Sequence, residues 1–178
     1  MDGLKLIEQH LQGQPGKPPL HLWHPELSGD IDIVIKSNGD WLHQGDKIQR
    51  FRLVKLFASI LRREDDGCYY LVTPVEKWRL TVEDCAFIIV DVDVLSAGQE
   101  AQQIIMTSNM DDKYMLGDLH ALSVSIDADT GEPDPVVALD NGLTAKVGRS
   151  VFYRLVEHAV EKEGCFSVLS SGCWFRLS

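Results

Sequence analysis

Hydrophobic and polar positions alternate early in the chain, where Ile31, Ile33 and Ile35 are interleaved with Asp30, Asp32 and Val34. A period of two is typical of a half-buried β-strand. The dipeptide Asn38-Gly39 follows and favours a tight hairpin turn. We therefore expect residues 41–43 to form the returning strand.

The next apolar stripe has a helical period. Its members are Leu53, Val54, Leu56, Phe57, Ile60 and Leu61, a spacing that lies along one face of a helix. Asp66-Gly67 ends this segment, and two further strands are expected at 68–73 and 78–82, on either side of Pro74. The first half of the chain therefore predicts the order β-β-α-β-β.

The same order recurs in the second half. Alternation at Leu122, Val124 and Ile126 predicts strands, and a helix is expected to carry Phe152, Leu155, Val156, Ala159 and Val160. A closing hairpin then covers 165–169 and 173–177. Cys165 and Arg176 follow Cys68 and Arg79 by the same 97 positions.

These patterns predict an α+β fold of two related β-β-α-β-β units that arose by internal duplication. We expect an N-terminal helix carrying Leu4, Ile7 and Leu11, with a Pro-rich linker, over 1–20. An N-terminal domain over 21–84 and a C-terminal domain over 85–178 follow. Strands at 87–95 and 102–108 have no counterpart in the first half and are interpreted as a bridging hairpin.

Composition narrows the class of function. A formal charge of −10 over 178 residues argues against sequence-independent nucleic-acid binding and against docking on anionic membranes. No run approaches the roughly 18 apolar residues of a membrane-spanning helix. The four cysteines show no Cys-x-x-Cys spacing, and the start shows no basic leader before an apolar run. The sequence therefore predicts a reduced, cytoplasmic protein.

The segment 73–78, Thr-Pro-Val-Glu-Lys-Trp, is the strongest candidate for binding chemistry. Loops between rigid strands are where binding groups concentrate. Lys77 and Arg79 could accept a phosphate, and Trp78 or Tyr70 could stack on a ring. The alternative is a structural hairpin whose Trp packs in the core.

Asp30 and Asp32 offer a second candidate. Two positions apart on a strand, they share the face opposite the isoleucines, with carboxylates roughly 7 Å apart. With the histidines at 21, 24 and 43 they could form a metal site; the alternatives are a solvated strand face and structural histidines.

Three runs, His21-Leu22-Trp23, Gly29 to Ile33 and Leu61 to Trp78, resemble an uncharacterised bacterial family, the domain-of-unknown-function family 1285. The resemblance implies two related domains, the second loosely pleckstrin-homology-like. It also implies an inter-domain cleft for a small ligand such as a nucleotide, in a signalling role. It implies no catalytic residue.

We therefore expect a non-enzymatic protein that binds a small anionic ligand. The sequence indicates no particular cofactor. The predicted ligand-binding residues are Trp23, Asp30, Asp32, Arg50, Tyr70, Thr73, Glu76, Lys77, Trp78 and Arg79. Two alternatives stand beside this one. The first is a metal-dependent hydrolase using Asp30, Asp32 and nearby histidines, and the second is a protein-interaction module with an edge strand at 174–177.

Overall fold

The computed structural model describes Ile7 and residues 16–178. The chain divides into two compact units, 1–84 and 85–178. The predicted N-terminal helix lies outside the described residues apart from Ile7, which is buried. The described part of each unit is mostly sheet with one complete α-helix, so the fold class is α+β. No helix among the described residues is long and apolar enough to cross a membrane.

The first unit contains one six-stranded sheet. Its helix α1 is Phe51–Ser59, and its strands are β1 Leu27–Ile35, β2 Trp41–His43, β3 Asp46–Lys47, β4 Leu61–Arg63, β5 Tyr69–Val72 and β6 Lys77–Val82. The strand order is β3-β2-β1-β6-β5-β4. β1 and β6 are parallel, whereas the other neighbours are antiparallel.

The hairpin predicted at Asn38-Gly39 is confirmed. The amide of Gly39 donates to the carbonyl of Lys36 at 2.9 Å, and Gly39 has a φ of 86°, which favours glycine. Trp41 then lies opposite Ile35 in the β1–β2 ladder, and both are buried. The period-two pattern therefore marks the buried face of β1 correctly.

The helix is shorter than its apolar stripe. The spacing predicts a helix through Leu61, whereas α1 ends at Ser59 and Leu61 begins β4. Ile60 and Leu61 are fully buried, and Leu61 lies opposite Leu71 in the β4–β5 ladder. A short apolar run fits either period, and here strand pairing outweighs helical spacing.

The second unit contains two sheets and one complete helix, α2 Arg149–Val156. The strands are β7 Phe87–Leu95, β8 Gln103–Ser108, β9 Lys113–Met115, β10 Leu122–Ile126, β11 Pro133–Ala138, β12 Thr144–Val147, β13 Val160–Lys162, β14 Cys165–Ser170 and β15 Cys173–Arg176. One sheet has the order β10-β11-β12-β7-β8-β9, and the other has β13-β14-β15. The predicted edge strand at 174–177 thus overlaps β15, which lies at one edge of the smaller sheet.

Two expectations for the second unit are wrong. The hairpin interpreted as a bridge is β7–β8, and β7 lies between β12 and β8 inside the larger sheet. The predicted hairpin is therefore present, but its buried Ile89, Val92 and Ile104 belong to the core of this unit, so it is part of the sheet rather than a bridge. Val160, expected in the last turn of the helix, begins β13 instead.

Candidate functional site

Strand register decides which predicted site residues share a face. Tyr70 lies opposite Arg79 in the β5–β6 ladder, and Arg79 lies opposite Asp30 in the β6–β1 ladder. Because directly paired residues point to the same side of a sheet, these three side chains share one face. Trp78, paired with Leu71, points to the other face. The structure therefore separates Trp78 from Tyr70 and Arg79.

Glu64 is the centre of a largely buried charged cluster in this unit. Its carboxylate accepts from Arg62 Nη2 at 2.5 Å and from Lys77 Nζ at 3.0 Å. Burial raises the pKa of Glu64, but the hydrogen bonds and charges of Lys77 and Arg62 outweigh it, so the pKa is lowered. Glu64 is therefore held ionised between two cations.

Arg62 also holds the segment 20–23 through its Nη1. Its Nη1 donates to the carbonyl oxygens of Leu20 at 3.0 Å and Trp23 at 2.9 Å. The predicted site residue Trp23 thus contributes a backbone carbonyl to this contact. Arg62 therefore has a structural role, because moving its side chain would break its hydrogen bonds to both carbonyl oxygens and to the Glu64 carboxylate.

Tyr70 joins the same network through its hydroxyl and its ring. The hydroxyl donates to Asp66 Oδ2 at 2.6 Å, and Lys77 Nζ lies 4.8 Å from the ring centroid. The hydrogen bond to Asp66, followed by burial, raises the pKa of Tyr70. The same bond, with the Cys68 amide, lowers the pKa of Asp66. Only 4% of Tyr70 is exposed, so its ring offers no free face for stacking on a base.

Arg79 and Asp30 form the exposed end of this face. Arg79 Nε and Nη2 donate to the two carboxylate oxygens of Asp30 at 2.6 and 3.1 Å. The side chains are 46% and 68% exposed, respectively. The hydrogen bond lowers the pKa of Asp30 and raises that of Arg79. The guanidinium fork is therefore oriented outward by a carboxylate that solvent can reach.

Thr73, Glu76 and Trp78, in the segment 73–78, make hydrogen bonds to one another. Thr73 is fully buried; its Oγ1 accepts from the Glu76 amide at 3.0 Å, and its own amide donates to the Glu76 carbonyl at 2.9 Å. Trp78 Nε1 donates to Glu76 Oε2 at 3.5 Å. A Cβ at Gly29 would lie 3.3 Å from the Trp78 ring, and Gly29 has a φ of 146°. Glycine there lets the indole pack across β1, but Trp78 is only half-buried, so it does not lie in the core as the structural alternative expected.

The remaining candidates lie outside the charged cluster. Arg50 occupies the N-cap position of α1, where its side chain makes no capping hydrogen bond, and lies outside the strand ladder. Asp32 is exposed two positions along β1 from Asp30. Within the described part of the chain, no group of three or more His, Cys, Asp or Glu side chains is placed to hold a metal ion. The histidines at 21, 24 and 43 are thus not gathered around Asp30.

Sequence reasoning missed the roles of Arg62, Glu64 and Asp66. Their signal in the sequence is that they lie two positions apart within the charged run 62–66, which begins in β4. The helical stripe ending at Leu61 concealed it, because β4 is only three residues long.

Comparison with protein families gives two matches. Residues 18–85 match the "Domain of unknown function (DUF1285), N-terminal domain" and residues 86–177 the "Protein of unknown function (DUF1285), C-terminal domain". Comparison with curated proteins gives no match.

Two solved structures are similar to this chain. A DUF1285 family protein from Silicibacter pomeroyi DSS-3 is 39% identical, with 99% of this chain and 95% of that one covered and a TM-score of 0.91. One from Shewanella baltica OS155 is 30% identical, with 72% and 92% covered and a TM-score of 0.55.

Proposed function

The chain belongs to the DUF1285 family, and on that premise we propose that it is a non-enzymatic protein that binds a small anionic ligand of the nucleotide class, in a signalling role. The observation that carries the proposal is the exposed Arg79–Asp30 pair beside Lys77 on one strand face. It combines a phosphate-binding group with an acceptor for a ligand hydroxyl.

Arg79 is the cation best suited to meet a phosphate. A guanidinium binds carboxylate and phosphate through the same bidentate geometry. Exposed ion pairs stabilise a fold little, so a phosphate could replace Asp30 on Arg79 at small cost. Asp30, once released, remains on the neighbouring strand and can accept a hydrogen bond from a sugar hydroxyl.

Lys77 supplies a second positive charge two positions along β6. It is held by Glu64 at 3.0 Å and lies over the Tyr70 ring, so its position is fixed before a ligand arrives. Tyr70 then acts by positioning Lys77 rather than by stacking. Recognition in this proposal is electrostatic, because Trp78 faces the other side of the sheet.

The test compares Arg79 with an arginine of the second unit that has a similarly exposed ion pair. Arg154 forms a similarly exposed pair with Asp91 at 2.5 Å. We expect ATP, GTP or pyrophosphate at millimolar concentration to raise the melting temperature by mass action. Calorimetric titration should show about a tenfold loss of affinity in Arg79→Gln, the order expected for a charge-assisted hydrogen bond, and no loss in Arg154→Gln. If none of these anions raised the melting temperature, the proposal would be refuted.

The internal duplication belongs to the same proposal and is supported by strand register. Tyr70 opposite Arg79 and Leu71 opposite Trp78 correspond to Ser167 opposite Arg176 and Val168 opposite Phe175, each 97 positions later. We also retain the loosely pleckstrin-homology-like description of the second unit as part of the proposal. Superposition of the two hairpins with a shifted register would contradict a common origin.

A cytoplasmic location is the last part of the proposal. All four cysteines lie in the described part of the chain, and no disulfide joins any of them. Thiols persist in reducing compartments. Localisation of a tagged chain by cell fractionation tests this element.

A further inference from the structure

A groove of about 440 Å³ is lined by residues of the second unit, none of them part of the site proposed around Arg79. Its walls are the 98–102 turn, the segment that follows α2, and the face of the smaller sheet that carries Trp174 and Leu169. The volume falls in the range of small-molecule sites. We propose that this groove binds a small organic amine, with an apolar body against Trp174 and its ammonium group facing Glu100 and Glu157.

The apolar part of the site is well defined. Trp174 is 43% exposed, and Val160, Ala159 and Leu169 line the groove beside it. Gln102 fixes one wall, because its Nε2 donates to the Leu169 carbonyl at 2.7 Å and its Oε1 accepts from the Gly98 amide at 2.7 Å. An apolar ligand body would cover the exposed indole and gain its burial energy.

The charge of the groove selects a cation. Glu100 and Glu157 reach it from different segments, and neither carboxylate has a hydrogen-bond or ion-pair partner among residues 16–178. A second groove of this unit, beside Arg149, differs. There Arg149 is paired with Glu132 and Lys146 with Asp134, and Asp127 accepts hydrogen bonds from Thr130, so each carboxylate of that groove already has a partner.

The indole already contacts a cation. The Nζ of Lys162 lies 4.3 Å from the Trp174 ring centroid, a geometry at which an electron-rich ring attracts an ammonium group. Lys162 is not part of the groove wall. The ligand's apolar body would therefore cover the part of the indole that lines the groove, while its ammonium group faces the two carboxylates.

Three probes that share a phenyl ring separate charge from apolarity. They are 2-phenylethylamine, 2-phenylethanol and 3-phenylpropionate, and binding is followed through the Trp174 indole N–H resonance. This resonance is assigned with the variant Trp174→Phe. We expect the amine to bind at least about fivefold more tightly than the alcohol, as for one charge-assisted contact. The carboxylate should bind least.

A matched pair of double variants locates the effect. Glu100→Gln with Glu157→Gln should reduce amine affinity to that of the alcohol. Glu161→Gln with Glu163→Gln removes the same two charges from exposed positions outside the groove and should leave it unchanged. Equal binding of amine and alcohol, or equal losses in the two double variants, would overturn the proposal. Neither result depends on Arg79 or on a nucleotide.

Discussion

The closing hairpins of the two units, 69–82 and 165–177, share a strand register but differ in their surroundings. In the first unit, β5–β6 lies between β4 and β1 in a six-stranded sheet. In the second, β14–β15 pairs only with β13. The same hairpin geometry is therefore used once inside a sheet and once at an edge.

In each hairpin an aromatic ring has an ammonium group over it, supplied by the hairpin itself in the first unit and by β13 in the second. Lys77 lies over Tyr70 at 4.8 Å in the first and Lys162 over Trp174 at 4.3 Å in the second. The first ring is buried and its cation is paired with Glu64, whereas the second ring lines an open groove. The hairpin that has neighbouring strands on both sides thus holds its lysine in a fixed charge network. The hairpin at the sheet edge leaves its aromatic ring accessible to solvent.

The largest expected effect comes from truncating equivalent leucines. Leu80 and Leu177 lie opposite residues 69 and 166, 97 positions apart, and are 7% and 4% exposed. Leu80→Ala should lower the free energy of unfolding by about 3 kcal/mol and Leu177→Ala by about 2 kcal/mol. The chain end beside Leu177 can collapse into the cavity more readily than a strand paired on both sides.

Denaturant unfolding followed by circular dichroism measures both variants. Val75→Ala, at an exposed loop position, is the control and should change stability by less than about 0.5 kcal/mol. A larger loss at Leu177 than at Leu80 would show that the smaller sheet is the more tightly constrained one.

The charge network of the first hairpin gives the next effect. Glu64→Gln leaves Lys77 and Arg62 without their carboxylate and should cost about 1 to 2 kcal/mol. The pKa of Glu64 is lowered in the folded state, so its contribution is present above the unfolded pKa of about 4.3 and is lost as pH falls through the folded value. The variant should therefore unfold with a weaker acid dependence.

The matched control is Glu161→Gln. Glu161 lies 97 positions after Glu64 but is exposed in β13, with no ion-pair partner among the described residues. Urea titrations at several pH values should show no change in its acid dependence. A similar change in both variants would mean that net charge, rather than the Glu64 cluster, sets the acid response.

The sequence predicts the buried face of β1 and the Asn38-Gly39 turn because both are local. It fails at Leu61 and Val160, where a short apolar run fits helix and strand equally. The separation of Trp78 from Tyr70 depends on register between strands distant in the chain. The ion pair of Glu64 with Lys77 also depends on this register. Residue types alone therefore could not predict the ion pair or the separation of the two rings.

Two buried tyrosines have raised pKa values with different main causes, and a titration can separate these causes. The pKa of Tyr70 is raised first by its bond to Asp66, whereas that of Tyr114 is raised first by burial. Asp66→Asn should lower the pKa of Tyr70 toward the ordinary value of about 10 and leave that of Tyr114 unchanged. Phenolate absorbance, with Tyr70→Phe and Tyr114→Phe to assign the steps, measures both.

The sign of the stability effect follows from the raised pKa. Each tyrosine contributes stability below the unfolded value of about 10, and this is lost as pH rises through the folded value. Tyr70→Phe should therefore reduce the alkaline loss of stability. An unchanged Tyr70 titration in Asp66→Asn would assign its shift to burial instead.

The smallest effect concerns the exposed pairs, and it tests the premise of ligand exchange at Arg79. Asp30→Asn and Asp91→Asn each remove the carboxylate of an exposed arginine pair. Neither should change the melting temperature measurably at about 0.15 M salt, where exposed pairs are screened. Thermal unfolding at low and physiological salt checks this. A large loss in Asp30→Asn alone would mean that Arg79 is held by a pair that a phosphate could not readily replace, which would leave Lys77 as the cation for an anionic ligand.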